Sequence, residues 1–198
     1  MKFLLVSFIL FNLKGFSQTD LAFCGAKYES AINNYITNKN SIKFKEELNF
    51  SKKEYVACLL KKPFPILNLI DINGKKLKID SNKRKIFVMQ FWSSWCPPCM
   101  AEIPMINNLY LQFDSSKVKF VTLSYNKVVQ NENKSKFKSH FIENCSEISK
   151  ELGVLAYPTI YIISLDFKIS KVYLGADKNN IKKLYTNLKN DIINELKR

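Results

Sequence analysis

The sequence predicts an α/β domain in which a central mixed β-sheet is flanked by helices. Three observations support this. First, a buried-strand pattern, Lys85-Ile-Phe-Val-Met-Gln-Phe-Trp92, runs into a helical one. That helical segment spans Met100 to Phe113, with apolar residues at Met100, Ile103, Ile106, Tyr110 and Phe113. Second, apolar and β-branched runs at Val118–Tyr125, Thr159–Ile163 and Lys168–Leu174 alternate with helical or polar segments. Third, Ile181, Leu184, Tyr185, Leu188, Ile192 and Leu196 share one face of a closing helix.

Residues 1–17 have the form of a signal peptide. Lys2 is a basic start, Phe3 to Leu13 an apolar run, and Gly15-Phe16-Ser17 puts small residues at −3 and −1 of a cut before Gln18. The run falls short of the ~20 residues that a spanning helix needs. Export to a periplasm or cell envelope, soluble after cleavage, is therefore expected in preference to an uncleaved membrane anchor. Disulfides persist in such a compartment. Residues 18–60 read as a polar, helical N-terminal extension. Within it, Ser51-Lys-Lys-Glu54 has the pattern of a capping box opening a short helix through Tyr55, Val56, Leu59 and Leu60. Pro63 and Pro65 end that helix.

Residues 61–198 are expected to form the main domain. It opens with a β-hairpin: Pro65 to Ile72 is one strand, Asn73-Gly74 the turn, and Lys75 to Ile79 the return. After the strand–helix unit and Val118–Tyr125, residues 126–139 are rich in Lys and Asn and read as a loop or weak helix. His140 to Cys145 reads as a short strand, and Ser146 to Leu152 as a short helix stopped by Gly153. Asp166-Phe167-Lys168 turns between the last two strands.

The chain carries 31 Lys and Arg against 17 Asp and Glu, a formal charge of +14. Only Arg84 and Arg198 are arginines, so the forks that read phosphates and base edges are missing, and nucleic acid is not an expected partner. The lysines are spread along the chain as solvated faces, and a monomer is expected.

Trp95-Cys96-Pro97-Pro98-Cys99 carries the chemistry. Cys96 falls at a helix N-terminus, where unpaired N–H groups and the macrodipole favour a thiolate. It is the expected nucleophile, exposed and with a lowered pKa. Cys99, one turn inside, is placed to resolve a mixed disulfide and close a Cys96–Cys99 bond. A structural disulfide or half a metal site is the alternative. No second CxxC is present and His140 is the only histidine, so no metal site is expected. Pro97 and Pro98 remove two backbone donors near the sulfur, which favours a reducing couple. Of the other cysteines, Cys24 and Cys58 lie in the extension. They would either bridge and staple it or remain buried thiols. Cys145 is the odd cysteine, expected unpaired and buried.

From about residue 62 to 196 the chain resembles the TlpA/ResA-like exported thiol-disulfide oxidoreductases of the thioredoxin superfamily. The motifs that carry the resemblance are Phe91-Trp92-Ser-Ser-Trp95-Cys96-Pro97-Pro98-Cys99, then Glu102-Ile-Pro104, Gly153-Val154 with Tyr157-Pro158-Thr159, and Lys62-Pro63-Phe64-Pro65 with Asp71-Ile-Asn-Gly74. Gln90 stands six positions before Cys96, where many thioredoxins carry a buried acid and the exported branch often an amide. The resemblance implies a thioredoxin-like fold and a protein disulfide reductase that needs no cofactor. It places Glu102, as a proton acceptor for Cys99, and a cis Pro158 beside the two cysteines. It also implies substrate contacts from Trp95, Pro97 and Pro98 and from backbone groups of Tyr157 and Thr159, with Trp92 in the core. The implied partners are protein disulfides and a membrane electron donor of the thiol–disulfide type. Two other functions compete on the same fold: a thiol peroxidase, which needs an arginine by its cysteine, and a copper-delivery module, which usually adds a histidine.

Overall fold

The computed structural model describes residues 20–38, 42–128, 136–175 and 180–198. The expected leader, residues 1–17, lies outside them. The chain enters through three helices, α1 (Asp20–Phe23), α2 (Ala26–Thr37) and α3 (Ile42–Leu59). A hairpin follows, β1 (Leu67–Ile70) and β2 (Lys76–Ile79). Then come β3 (Ile86–Trp92), α4 (Pro97–Gln112), β4 (Val118–Ser124), β5 (His140–Ile142) and α5 (Ser146–Glu151). The chain closes with β6 (Thr159–Ile163), β7 (Ile169–Leu174) and α6 (Ile181–Leu196).

Five strands form one sheet in the order β5-β4-β3-β6-β7. β3 runs parallel to β4 and antiparallel to β6, so the sheet is mixed. Side-chain alternation on β3 sorts the molecule into layers. Ile86 and Val88 join Ile160 and Ile162 of β6 under Met105, Ile106 and Leu109 of α4 and Leu188 and Ile192 of α6. Phe87, Met89 and Phe91 face the other way, with Tyr161 and Ile163, toward Leu21, Tyr28, Tyr55 and Leu59 of the N-terminal helices. Both faces are thus covered, and every residue of β3 and β6 is buried. Gln90 falls on the α4 face by the same alternation.

Three local expectations change. α3 begins at Ile42 and runs through Ser51, so the Ser51–Glu54 capping box does not open a helix. Leu48, Ser51, Tyr55 and Leu59, three and four residues apart, form one inward stripe that extends the helix upstream. α4 starts at Pro97 rather than Met100, because prolines at its first two positions preset the helical φ and their missing N–H groups cost nothing there. The hairpin strands are shorter than expected. The Asp71 carboxylate closes the turn by accepting the Asn73 and Lys75 amides at 2.9 Å each, which leaves Asn73-Gly74 inside a wider loop.

Candidate functional site

The site lies where the parallel strands β3 and β4 end, the customary place for ligand chemistry in an α/β sheet. Cys96 is the N-cap of α4, in extended backbone conformation, and its sulfur accepts the Cys99 amide at 3.2 Å. Pro97 and Pro98 bring no N–H, so Cys99 supplies the first backbone donor of the helix. Cys96 and Cys99 are joined by a disulfide with S–S 2.02 Å. Cys96 is only 4% exposed and Cys99 0%, which corrects the expectation of an exposed nucleophile. The burial comes from Trp92, Ile103, Val128 and Phe141, with Met100, Phe137 and Tyr157 at the edge. Trp92 itself is core, edge-on to Phe137 and Phe141 at 5.3 and 5.7 Å.

Beneath the disulfide runs a buried polar chain. Glu102, three residues after Cys99 on the same helix, is 1% exposed. It accepts a hydrogen bond from the Gln90 amide at 3.0 Å. The Gln90 carbonyl accepts from the Thr122 hydroxyl at 3.1 Å, and Thr122 lies 2.8 Å from the Ser139 hydroxyl. Burial pushes the Glu102 carboxyl up to about 7, and the Gln90 hydrogen bond only partly offsets it. A carboxyl that titrates near neutrality takes up and releases a proton at ordinary pH.

Around the disulfide stands an aromatic rim. Trp95 is 64% exposed. Its ring meets Tyr125 at 6.3 Å and Tyr157 at 6.0 Å, and the two tyrosines meet each other at 5.6 Å, all edge-on. Pro97 is exposed and Pro98 half-buried. The Tyr157–Pro158 peptide is cis. Tyr157 remains half-buried, whereas Thr159 is 1% exposed in β6 and donates its hydroxyl to the Ala156 carbonyl at 2.8 Å. The Thr159 side chain therefore shapes the loop, and Tyr157 is the accessible member of that pair. Asn126 ties the Ser93-Ser94 turn to the end of β4, accepting from the Ser93 hydroxyl at 3.3 Å and donating to the Ser94 hydroxyl at 2.8 Å.

Sequence reasoning missed Tyr125, Asn126, Thr122 and Ser139. The signal available for the first two was position, immediately after the strand that pairs in parallel with β3. The hydroxyls carry no local signature. Elsewhere, Cys24 and Cys58 are bonded, and Cys145 is a buried free thiol. His140 of β5 pairs with Asp71 of the hairpin turn at 3.0 Å. Among the described residues, no cluster of three or more His, Cys, Asp or Glu is arranged to hold a metal ion.

Comparison with known proteins agrees with this geometry. Residues 60–172 match the AhpC/TSA family. The thiol-disulfide oxidoreductase ResA of Bacillus cereus is 32% identical over 132 residues, 64% of this chain and 75% of that protein. The sporulation thiol-disulfide oxidoreductase A of Bacillus subtilis is 30% identical over 52% of this chain and 67% of its own. The crystal structure of StoA from Bacillus subtilis superposes with a TM-score of 0.50 at 26% identity, covering 62% of this chain and 96% of that one. A thiol:disulfide interchange protein DsbE from Chlorobium tepidum shares the fold, with a TM-score of 0.55 at 16% identity over 65% and 94% of the two chains. The chain belongs to the AhpC/TSA family of the thioredoxin superfamily, with the ResA-like thiol-disulfide oxidoreductases as its relatives, and it is a thiol-disulfide oxidoreductase enzyme.

Proposed function

We propose that this enzyme is an exported reductase of protein disulfides that works through the Trp95–Cys99 motif. The observation that carries the reading is a disulfide at the start of α4 with a carboxyl that titrates near 7 one helical turn further in. In the reduced enzyme the Cys96 thiolate attacks one sulfur of a substrate disulfide. The substrate S–S bond breaks, a Cys96–substrate bond forms, and one substrate thiolate leaves. Cys99 then gives its proton to Glu102 and attacks the Cys96 sulfur, which expels the second substrate thiolate. Two electrons have passed to the substrate, and the Cys96–Cys99 disulfide of this structure is the product. A thiol–disulfide donor at the membrane returns the two electrons. Trp95, Pro97, Pro98 and Tyr157 offer the surface on which an extended segment lies beside Pro158.

Peroxidase chemistry lacks its arginine. Arg84 precedes β3 and lines a hollow with Arg198, at the end of the strand away from the dithiol. Seven strand residues at ~3.3 Å each separate the two ends by roughly 20 Å. His140 is engaged with Asp71, which disfavours a copper site. Export is supported by the form of residues 1–17. Insulin reduction by the purified enzyme tests the reading: turnover by wild type and none by Cys96→Ser is expected. Peroxide consumption without insulin reduction would refute it.

A further inference from the structure

The helices ahead of the family match reach the candidate site. The match begins at residue 60, and α1 to α3 precede it. Besides covering the sheet, they contact Leu152 to Leu155, the stretch that leads into Tyr157-Pro158. Gly153 has φ 72°, and a Cβ there would collide with the Leu21 carbonyl oxygen, so α1 lies directly against the loop backbone. A Cβ on Gly25 would come within 2.8 Å of Leu155 Cδ1. Leu21, Cys24, Tyr28 and Tyr55 share one buried cluster with Leu152 and Val154, and Tyr157 packs at its edge.

Polar contacts point to the same loop. The Tyr55 hydroxyl of α3 donates to the Gly153 carbonyl and lies 3.2 Å from the Tyr161 hydroxyl, which in turn donates to the Leu152 carbonyl at 3.1 Å. Tyr28 stacks on Tyr55 with ring centroids 5.1 Å apart. Connecting segments ordinarily run over the surface, open locally and satisfy their carbonyls with water. Here two successive carbonyls are held by buried phenols, which burial keeps protonated. The Cys24–Cys58 bond then joins the α1–α2 junction to the end of α3 and fixes the helix carrying Tyr55 against the one that covers Gly153.

We infer that residues 20–59 are a working part of the site: Tyr55 is a positioning residue for the Leu152–Tyr157 loop, and the Cys24–Cys58 disulfide fastens the helices that hold it. The inference rests on the proposed function in taking Tyr157 as a substrate-facing residue. It adds that substrate affinity depends on a segment outside the family's shared fold.

Hydrogen exchange on the oxidised full chain tests it without any substrate. The reporters are the Gly153 and Val154 amides, bonded to the Lys150 and Ser149 carbonyls at 2.9 Å. Amides of α4, on the opposite face of the sheet, serve as the reference. Tyr55→Phe, which keeps the ring, and Cys24→Ser/Cys58→Ser are each expected to speed exchange at the two reporters about tenfold while α4 is unchanged. In insulin reduction the same variants are expected to raise KM about fivefold with kcat within about twofold. Unchanged reporters in Tyr55→Phe, or equal acceleration throughout α4, would overturn the inference. So would a loss of kcat at unchanged KM. A wild-type enzyme that fails to reduce insulin counts against the proposed function, while the exchange comparison still decides this one.

Discussion

Replacing Glu102 by Gln removes the ionisable group beneath the dithiol and keeps the side chain's size. In the folded protein burial lifts the Glu102 carboxyl from the ordinary 4.5 to about 7. That rise corresponds to about 3 kcal/mol of preference for the neutral acid, at about 1.4 kcal/mol per tenfold. Between those two pH values the folded state holds a proton that the unfolded state has lost. Stability therefore falls as pH rises through the interval, and the full cost of about 3 kcal/mol is present above pH 7. An amide mimics the neutral acid at every pH. Glu102→Gln should match wild type near pH 4 and exceed it by about 3 kcal/mol at pH 8. For a chain of this size that raises Tm by roughly 6–12 °C. Urea or thermal unfolding of the oxidised proteins at the two pH values is the assay. Identical pH dependence in both proteins would refute the burial argument. The same substitution removes the proposed proton acceptor for Cys99, so resolution of the mixed disulfide should slow by about 10²-fold or more, as expected for loss of a general base.

Other substitutions test the site's surroundings. Gly153→Ala forces a Cβ into a left-handed backbone position and against the Leu21 carbonyl oxygen, and should cost about 2 kcal/mol or more in urea unfolding. A loss under about 0.5 kcal/mol would show that α1 does not lie where described. Burial, with Glu143 adding to it, pushes the Cys145 thiol up to about 12. Iodoacetamide at pH 8 should therefore leave Cys145 unlabelled in the native reduced enzyme and label it only after denaturation. Trp95→Ala removes an exposed ring in edge contact with Tyr125 and Tyr157, and should lower kcat/KM for insulin about fivefold, a loss of about 1 kcal/mol. Unaltered kcat/KM would remove the aromatic rim from the substrate surface.

How much of this was legible in the sequence depends on how local each signal is. β3 and α4 are neighbours in the chain, and a buried strand feeding a helix through Trp95–Cys99 leaves a pattern that periodicity detects. β6 and α6 declared themselves in the same way. The helical character of the extension was legible too, but not the continuity of α3 through Ser51, a residue whose type suggests a cap and whose burial depends on packing against the rest of the fold. Cys96 is shielded by Val128 and Phe141, both far from the motif in sequence. The Gln90–Thr122–Ser139 chain joins three separate segments, and Thr122 and Ser139 are unremarkable hydroxyls until β3 and β4 pair with Gln90 opposite Thr122. Tyr55 reaching the Gly153 carbonyl spans 98 positions, beyond any pattern that local spacing carries.

The proposed function stands on Cys96 attacking substrate and Cys99 resolving the mixed disulfide. Trapping measures it directly: reduced Cys99→Ser and Cys96→Ser proteins are each mixed with an oxidised disulfide-containing protein and the products mapped by intact mass and peptide analysis. A stable mixed disulfide through Cys96 is expected in Cys99→Ser, and none through Cys99, which is 0% exposed, in Cys96→Ser. Adducts through Cys99 at comparable yield, or none through Cys96, would contradict it.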